Sequence, residues 1–382
     1  MDLVAGHVYS ERQRPLRHVD GMLLIVTAAL VVVGLVLLYS ATGSTLRGLH
    51  LDQFARVKKQ AVTAIIGAIL LLLIVTFDYR FFKVYAGFIY VGMLIALVLV
   101  RIPGIGSETA GAQRWFKFGS GLGIQISPSE FSKVALVVML AAMLSELKVL
   151  TPDLRDVLRV TLAAAIPMAL VFSQPDIGTT ITLTAVVVGI LVVAGTRPRH
   201  LALLAATAVI LLLLGFQLNV IKSYQIARLT TFVDGGGELT TNYNREQSLI
   251  AVASGGVLGR GYLHGPETQL DFVPEQHTDF IFTVAGEEFG FFGAVFVLTL
   301  YALLIWRAIR IASLSKDPFG TYMAAGIASM FAIQMFVNVG MVIGIMPITG
   351  IPLPFMSYGG SSMLASFVAI GMLESVHMRR FK

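Results

Sequence analysis

Cysteine is absent from all 382 residues, which excludes disulfides, thiolate metal sites and cysteine nucleophiles together. Charge is scarce as well. Asp, Glu, Lys and Arg make up 13% of the chain against 56% hydrophobic residues, and the mean hydropathy is +0.81. A soluble enzyme keeps far more charge on its surface, so the composition is that of a polytopic membrane protein. His and carboxylate residues show no H-E-x-x-H or comparable metal spacing, and neither a solenoid repeat nor a low-complexity tract is evident.

What the chain has instead is long apolar runs. A span needs about 20 apolar residues to cross the hydrocarbon, and ten stretches qualify, near 21–41, 60–76, 84–100, 129–147, 159–174, 177–195, 201–217, 283–306, 320–343 and 361–377. The expected fold is an all-α polytopic membrane protein with ten transmembrane helices, one integral membrane domain over 1–382. The first run is longer than a signal-peptide core and is followed by many others, so it reads as a retained signal anchor.

A net charge of +6 suggests nucleic acid in a soluble protein. Here the cations sit in loops between spans and report topology. With residues 1–20 cytoplasmic, Arg80, Lys83, Arg155, Arg197, Arg199, Arg307 and Arg310 fall in short inside loops. The outside cations are spread over much longer ones. Both termini are therefore expected in the cytoplasm. Two outside segments are long and chemically mixed, 101–128 and, between helices 7 and 8, 218–282. Within the second, Gln247 to Ala253 reads as a short helix on the bilayer surface, stopped at Ser254-Gly255-Gly256. Gly259, Gly261 and Gly265 then mark tight turns.

The same loop ends in the most polar cluster of the chain, Gln269-Leu-Asp-Phe-Val-Pro-Glu-Gln-His-Thr-Asp-Phe-Ile-Phe282. Asp279 stands there at the mouth of a hydrophobic span. A carboxylate where water gives way to lipid is costly without a task or a partner, which makes Asp279 the leading catalytic candidate. Glu275, His277, Glu287 and Glu288 lie near it in sequence. His277 is a general base by residue type, or a residue satisfying backbone groups in a turn. Glu287 and Glu288, between Gly286 and Gly290, read as hydrogen-bonding groups at a kink.

Outside cations gather in three places: Arg56, Lys58 and Lys59; Arg114 and Lys117; and Arg228 with Arg245. Topology disfavours positive charge there. An anionic ligand, a phosphate or pyrophosphate headgroup, accounts for them, as does attraction to anionic lipid in general. Glu130 and Lys133, three apart on one helix face, and Asp176, before the sixth span, are expected to form structural charge support, joined in one network if Lys133 reaches across to Asp176. The loop over 348–362 packs two prolines and two glycines among small hydroxyls. Such backbone at membrane depth lines a cavity or is buried in protein, so it is expected to wall the same pocket.

Taken together, Gly111-Ala-Gln-Arg-Trp115, Gln125-Ile-Ser-Pro-Ser-Glu130, Gln174-Pro-Asp-Ile-Gly178, Tyr262-Leu-His-Gly265, Pro274-Glu-Gln-His-Thr-Asp-Phe-Ile-Phe282, Gly286-Glu-Glu288 and Pro352-Leu-Pro-Phe-Met-Ser-Tyr-Gly-Gly360 resemble the SEDS proteins (shape, elongation, division and sporulation). The resemblance runs from about Leu23 to Arg379. Ala-Gln-Arg-Trp and Leu-His-Gly are closer to the rod-shape elongation branch than to the division branch; Ile126-Ser127-Pro128 departs slightly from the family pattern.

The resemblance implies a peptidoglycan glycosyltransferase acting on lipid II at the outer face of the bacterial cytoplasmic membrane, with Asp279 catalytic. It also implies a class B penicillin-binding protein as transpeptidase partner, within an assembly of other elongation membrane proteins. A polyprenyl pyrophosphate leaves as a stabilised anion, so one base suffices where a glycosidase also needs a general acid. Arg56, Lys59, Arg114, Lys117, Arg228, Arg245 and His277 are then the substrate-binding candidates. A divalent cation, Mg2+ or Mn2+, is compatible with that work, although no all-protein metal cage is visible. The rival readings are a lipid II flippase and a non-catalytic scaffold for the penicillin-binding protein.

Overall fold

Buried in lipid, a backbone has to satisfy its own hydrogen bonds, and the apolar runs do so as helices. The computed structural model describes residues 18–48, 50, 52–109, 112–118, 124–147, 151–217 and 239–380. In chain order the elements are α1 Gly21–Gly48, α2 Ala55–Thr76, α3 Tyr79–Val84, α4 Ala86–Leu99, β1 Ser107–Thr109, β2 Ala112–Phe118, β3 Ile124–Ile126 and α5 Pro128–Ser145. They continue with α6 Leu154–Phe172, α7 Ile177–Val193, α8 Pro198–Gln217, α9 Leu239–Gly255, α10 Pro266–Gln269, α11 Ile281–Leu314, α12 Pro318–Val342 and α13 Gly360–Met378. Each of the ten apolar runs lies on a helix. Among the described residues, α1, α2, α5, α11, α12 and α13 are long and apolar enough to cross a bilayer, and α4, α7 and α8 contain shorter apolar helices. The protein is an integral membrane protein.

Local chemistry sets the helix ends. Pro128 opens α5, where a missing N–H costs nothing. Asp176 caps α7 by accepting from the Thr179 N–H at 3.0 Å, and Asp317 caps α12 by accepting from Gly320 at 2.9 Å. Gly290 breaks α11 with φ 62° and ψ −155°, a conformation only glycine adopts cheaply. That is the kink foreseen between Gly286 and Gly290.

Helices α5, α12 and α13 are buried along most of their length, whereas α1, α2 and α11 keep one face outward. The bundle is thus built around three central helices, with α2 laid along α13 and α11 along α12. Large apolar side chains on the outward faces, such as Ile65 and Phe291, suit contact with lipid.

Two features depart from the sequence reading. The 101–128 segment carries a three-stranded antiparallel sheet, in the order β1-β2-β3, with Lys117 opposite Gln125. Its alternating Ala112-Gln-Arg-Trp-Phe-Lys-Phe118 pattern has strand period. Second, the helix placed on the bilayer surface belongs to the bundle. It extends over all of α9, buries Ser248 and Ala251 completely, and packs on α11 and α12. The reason is polar as much as apolar, since the Ser248 hydroxyl donates to the Val342 carbonyl at 3.2 Å. The expected stop holds, with Gly256, Gly259 and Gly261 all at positive φ.

Candidate active site

Asp279 sits in the turns between α10 and α11, half-buried at one end of the bundle. Its position is fixed through the main chain. The Asp279 N–H donates to the Glu275 carbonyl at 3.0 Å, and its carbonyl accepts from Asn338 Nδ2 at 2.8 Å. The same Asn338 amide donates to the Ile351 carbonyl at 2.7 Å. One side chain near the C-terminal end of an apolar helix therefore ties the Asp279 turn to the 343–359 loop. Beneath the carboxylate lies Gly350, at φ 71°, where an added Cβ would stand 3.1 Å from Asp279 Oδ2. A side chain at 350 would crowd the acid.

The expectation that the proline- and glycine-rich loop walls the pocket is met. Tyr358 donates its N–H to the His277 carbonyl at 2.9 Å, and the two rings approach with centroids 5.7 Å apart. Buried Gln60 on α2 holds the loop from the other side, donating to the Ser357 carbonyl at 3.0 Å. Burial, then the nearby Arg56 charge, lowers the pKa of His277 below its ordinary value, against the opposite pull of Glu275 and Asp271. Arg56 is also felt by Tyr358, whose hydroxyl is pushed up by burial and partly brought back by that charge. Asp279, His277, Tyr358 and Arg56 thus share one region. Lys59 lies three residues after Arg56, on the same face of α2.

Behind the turn runs a buried polar relay. Glu287, wholly buried on α11, accepts from the Glu267 N–H at 2.8 Å, the Thr268 N–H at 3.0 Å and the Thr268 hydroxyl at 2.6 Å. Gln276, also buried, donates from Nε2 to the Thr268 and Thr283 hydroxyls, both at 3.0 Å. Gln276 is three residues before Asp279, so the relay fastens α10 and the Asp279 turn to α11. The fit leaves no room at Gly265, where a Cβ would fall 2.6 Å from the Glu287 carboxyl carbon. Glu288 accepts from Ser40 Oγ at 2.5 Å and from the Leu263 N–H at 3.1 Å. Both glutamates are hydrogen-bonding groups at a kink, as the sequence indicated.

The remaining candidates take the following places. Arg114 was expected on phosphate, but its guanidinium donates to the Gln174 carbonyl at 2.7 Å and the Pro175 carbonyl at 2.5 Å, with Asp176 3.8 Å away. It anchors β2 to the α6–α7 turn. Lys117 is exposed on β2, Arg245 lies on α9, and Arg228 lies outside the described residues. Glu130 and Lys133 form the expected pair at 2.6 Å, with Lys133 buried. Asp176 takes Arg114 and the Ser129 hydroxyl, at 3.2 Å; among the described residues no ion pair joins it to Lys133. Among the described residues no group of three or more His, Asp or Glu is placed to hold a metal ion.

Sequence reasoning passed over Asn338, Gln60, Gln276 and Tyr358. Asn338 and Gln60 carried a readable signal, a polar amide on an apolar helix; Gln276 and Tyr358 did not stand out from the loops around them.

The family of FtsW, RodA and SpoVE cell cycle proteins matches residues 21–382. The probable peptidoglycan glycosyltransferase FtsW of Geobacter metallireducens is 35% identical over 94% of this chain and 95% of its own length. The peptidoglycan glycosyltransferase MrdB of Escherichia coli is 32% identical over 95% of this chain and 94% of its own. Among solved structures, a chain of a peptidoglycan synthase complex, described as coordinating polymerization and crosslinking, superposes with a TM-score of 0.80 at 29% identity, covering 95% of this chain and 99% of that one.

Proposed function

The chain belongs to the FtsW, RodA and SpoVE family of cell cycle proteins, and from that membership we propose that it is a peptidoglycan glycosyltransferase, polymerising lipid II at the outer face of the cytoplasmic membrane. Relatives named for both FtsW and MrdB lie at 35% and 32% identity, too close to each other to separate branches. The elongation role rests on the Ala-Gln-Arg-Trp and Leu-His-Gly motifs.

The observation that carries the reading is the carboxylate of Asp279, whose main-chain carbonyl is held by Asn338 and whose side chain is backed by Gly350, in a region shared with Arg56 and His277. In the proposed step Asp279 takes the proton of the acceptor's GlcNAc 4-hydroxyl. That oxygen attacks the anomeric carbon of the donor MurNAc, and the bond to pyrophosphate breaks with inversion. The leaving group departs with both electrons as a stabilised anion. Arg56 and Lys59, on the face of α2 beside His277, are the cations best placed to receive it. A divalent cation in this scheme comes with the substrate's pyrophosphate, because the described residues supply no cage of their own.

The synthase-complex neighbour supports a penicillin-binding protein as partner. Both termini are taken as cytoplasmic on the charge distribution of the loops.

Purified protein incubated with labelled lipid II tests the reading. Wild type is expected to yield polymer, and Asp279→Asn none, with both forms equally folded. Translocation of lipid II without polymer from either form would favour a flippase, and full polymer from Asp279→Asn would remove the base.

A further inference from the structure

At the end of the bundle opposite Asp279, α6 and α8 both begin at a cavity of about 670 Å3. Arg155, Arg197, Arg199 and His200 line it, together with the carboxylate residue Asp153. Three guanidiniums meet there, and they differ from their neighbours. Four other arginines at this end have carboxylate partners, Arg80 with Asp317 at 3.2 Å, Arg159 with Asp156 at 3.8 Å, Arg379 with Asp78 at 3.5 Å, and Arg307 with Asp20, while Arg310 has only the Trp306 ring. Among the described residues Arg155, Arg197 and Arg199 make no ion pair or side-chain hydrogen bond. Three guanidiniums against the one carboxylate of Asp153 leave the cavity wall with net positive charge, and the positive ends of two long helices add to the field.

Buried polar atoms point the same way. His200 is only 7% exposed and lines the cavity, yet its Nδ1 has no hydrogen-bond partner among the described residues. Thr196, also 7% exposed in the turn that leads into α8, has an unpartnered hydroxyl. Of the two, His200 is on the cavity wall, and an unpartnered buried ring nitrogen there is unusual in a folded protein and calls for an occupant.

The remaining wall says what kind. Leu154 and Leu203 also line the cavity and are 38% and 49% exposed. Basic groups interleaved with half-exposed leucines, at the end of membrane helices, match an amphiphile better than a soluble anion. We propose that this cavity binds the phosphodiester headgroup of an anionic phospholipid from the leaflet facing it. The three arginines hold the phosphate oxygens, and Leu154 and Leu203 cover the glycerol and first methylenes. The leaflet is the cytoplasmic one on the positive-inside reading, and the proposal does not depend on the chemistry at Asp279.

The test uses the full-length protein in detergent, titrated with phosphatidylglycerol or phosphatidylcholine and read by native mass spectrometry. Wild type should retain one phosphatidylglycerol with at least roughly tenfold preference over phosphatidylcholine, the scale of a lost charge-assisted contact. Arg155→Gln/Arg197→Gln/Arg199→Gln should abolish the preference. So should Leu203→Trp, which leaves every charge in place and puts a bulky ring where the glycerol and first methylenes would lie. Arg310→Gln, at an exposed arginine stacked on Trp306 at the same end of the bundle, should retain it. Should the triple variant fail to fold, Leu203→Trp and Arg197→Gln alone carry the comparison. Equal binding of the two lipids, an equal loss in Arg310→Gln, or retention by Leu203→Trp would overturn the site. Displacement of the lipid by millimolar inorganic phosphate would overturn the lipid as its occupant in favour of a soluble phosphate.

Discussion

Replacing Glu287 tests whether the polar relay behind the Asp279 turn does more than fold the loop. Its two carboxylate oxygens serve three donors, Oε1 the Glu267 N–H and Oε2 both the N–H and the hydroxyl of Thr268. In Glu287→Ala the Thr268 N–H is buried without an acceptor, and the Glu267 N–H partly so. Each orphaned donor costs about 1 to 3 kcal/mol, so the variant should lose roughly 2 to 5 kcal/mol. Glu287→Gln keeps one oxygen and turns an amide N–H toward the remaining donors. It should lose about half as much by the same reasoning.

The damage should also reach the chemistry. Thr268 is bound to Gln276, and Gln276 stands three residues before Asp279. Loosening that link misplaces Asp279, the proposed base, while leaving Arg56 and Lys59 on α2 untouched, so kcat should fall with KM nearly unchanged. The assay is polymer formation against lipid II concentration at a temperature where each variant remains folded, alongside thermal melts. Gln276→Ala should show the same split, and the double variant should be less than additive. A Glu287→Ala protein with a lowered melt and wild-type kcat would refute the positioning role, leaving only the cap.

Three further outcomes follow from the geometry. His277 is held below its ordinary pKa of 6.5 by burial and Arg56, so the folded state favours the neutral ring; its stabilising contribution is complete above about pH 6.5 and is lost as pH falls below that toward the lowered value. Melts across that window should drop for wild type and flatten for His277→Gln; parallel curves would count against it. Removing Glu130 or Lys133 alone strands a buried partner at about 3 to 5 kcal/mol, whereas changing both to apolar residues should cost less than the sum, and additive melts would deny the coupling. Arg56→Gln should weaken substrate use roughly tenfold or more with little change in melting, while Arg114→Gln, which strands the Gln174 and Pro175 carbonyls, should lower the melt first. The reverse pattern would exchange the roles assigned to these two arginines.

The contrast between Arg56 and Arg114 shows where sequence reading stopped. Apolar runs locate helices because length and hydropathy act locally, and all ten runs became helices. Polar residues that interrupt them stand out for the same reason, which is how Asp279, Glu130 and Lys133 were found. Direction is another matter. An arginine in an outer loop looks alike whether its guanidinium faces solvent, a ligand or two carbonyls, and Arg114 took the carbonyls. Asn338 was legible in principle as an amide inside an apolar helix, but its two acceptors, 59 and 13 residues away in sequence, are fixed only by the packing of α12 against both loops. The same holds for α9, whose buried serine finds its acceptor on α12.

The disposition of carboxylates at the Asp279 end also bears on the class of reaction. A retaining or inverting glycosidase needs two carboxyl groups facing one bond, an acid for the leaving oxygen and a base or nucleophile opposite. Here Glu287 is taken up by α10, and Glu288 by Ser40 and the Leu263 N–H. Asp176 caps α7. Glu275 is exposed and accepts from the Thr278 hydroxyl at 3.2 Å, on the water side of the turn. Asp279 is therefore the one carboxylate of this group placed over the glycine-floored pocket beside Arg56. If Asp279 is the base beside Arg56, with these other carboxylates engaged as above, the arrangement suits a leaving group that needs no proton, and a polyprenyl pyrophosphate is such a group.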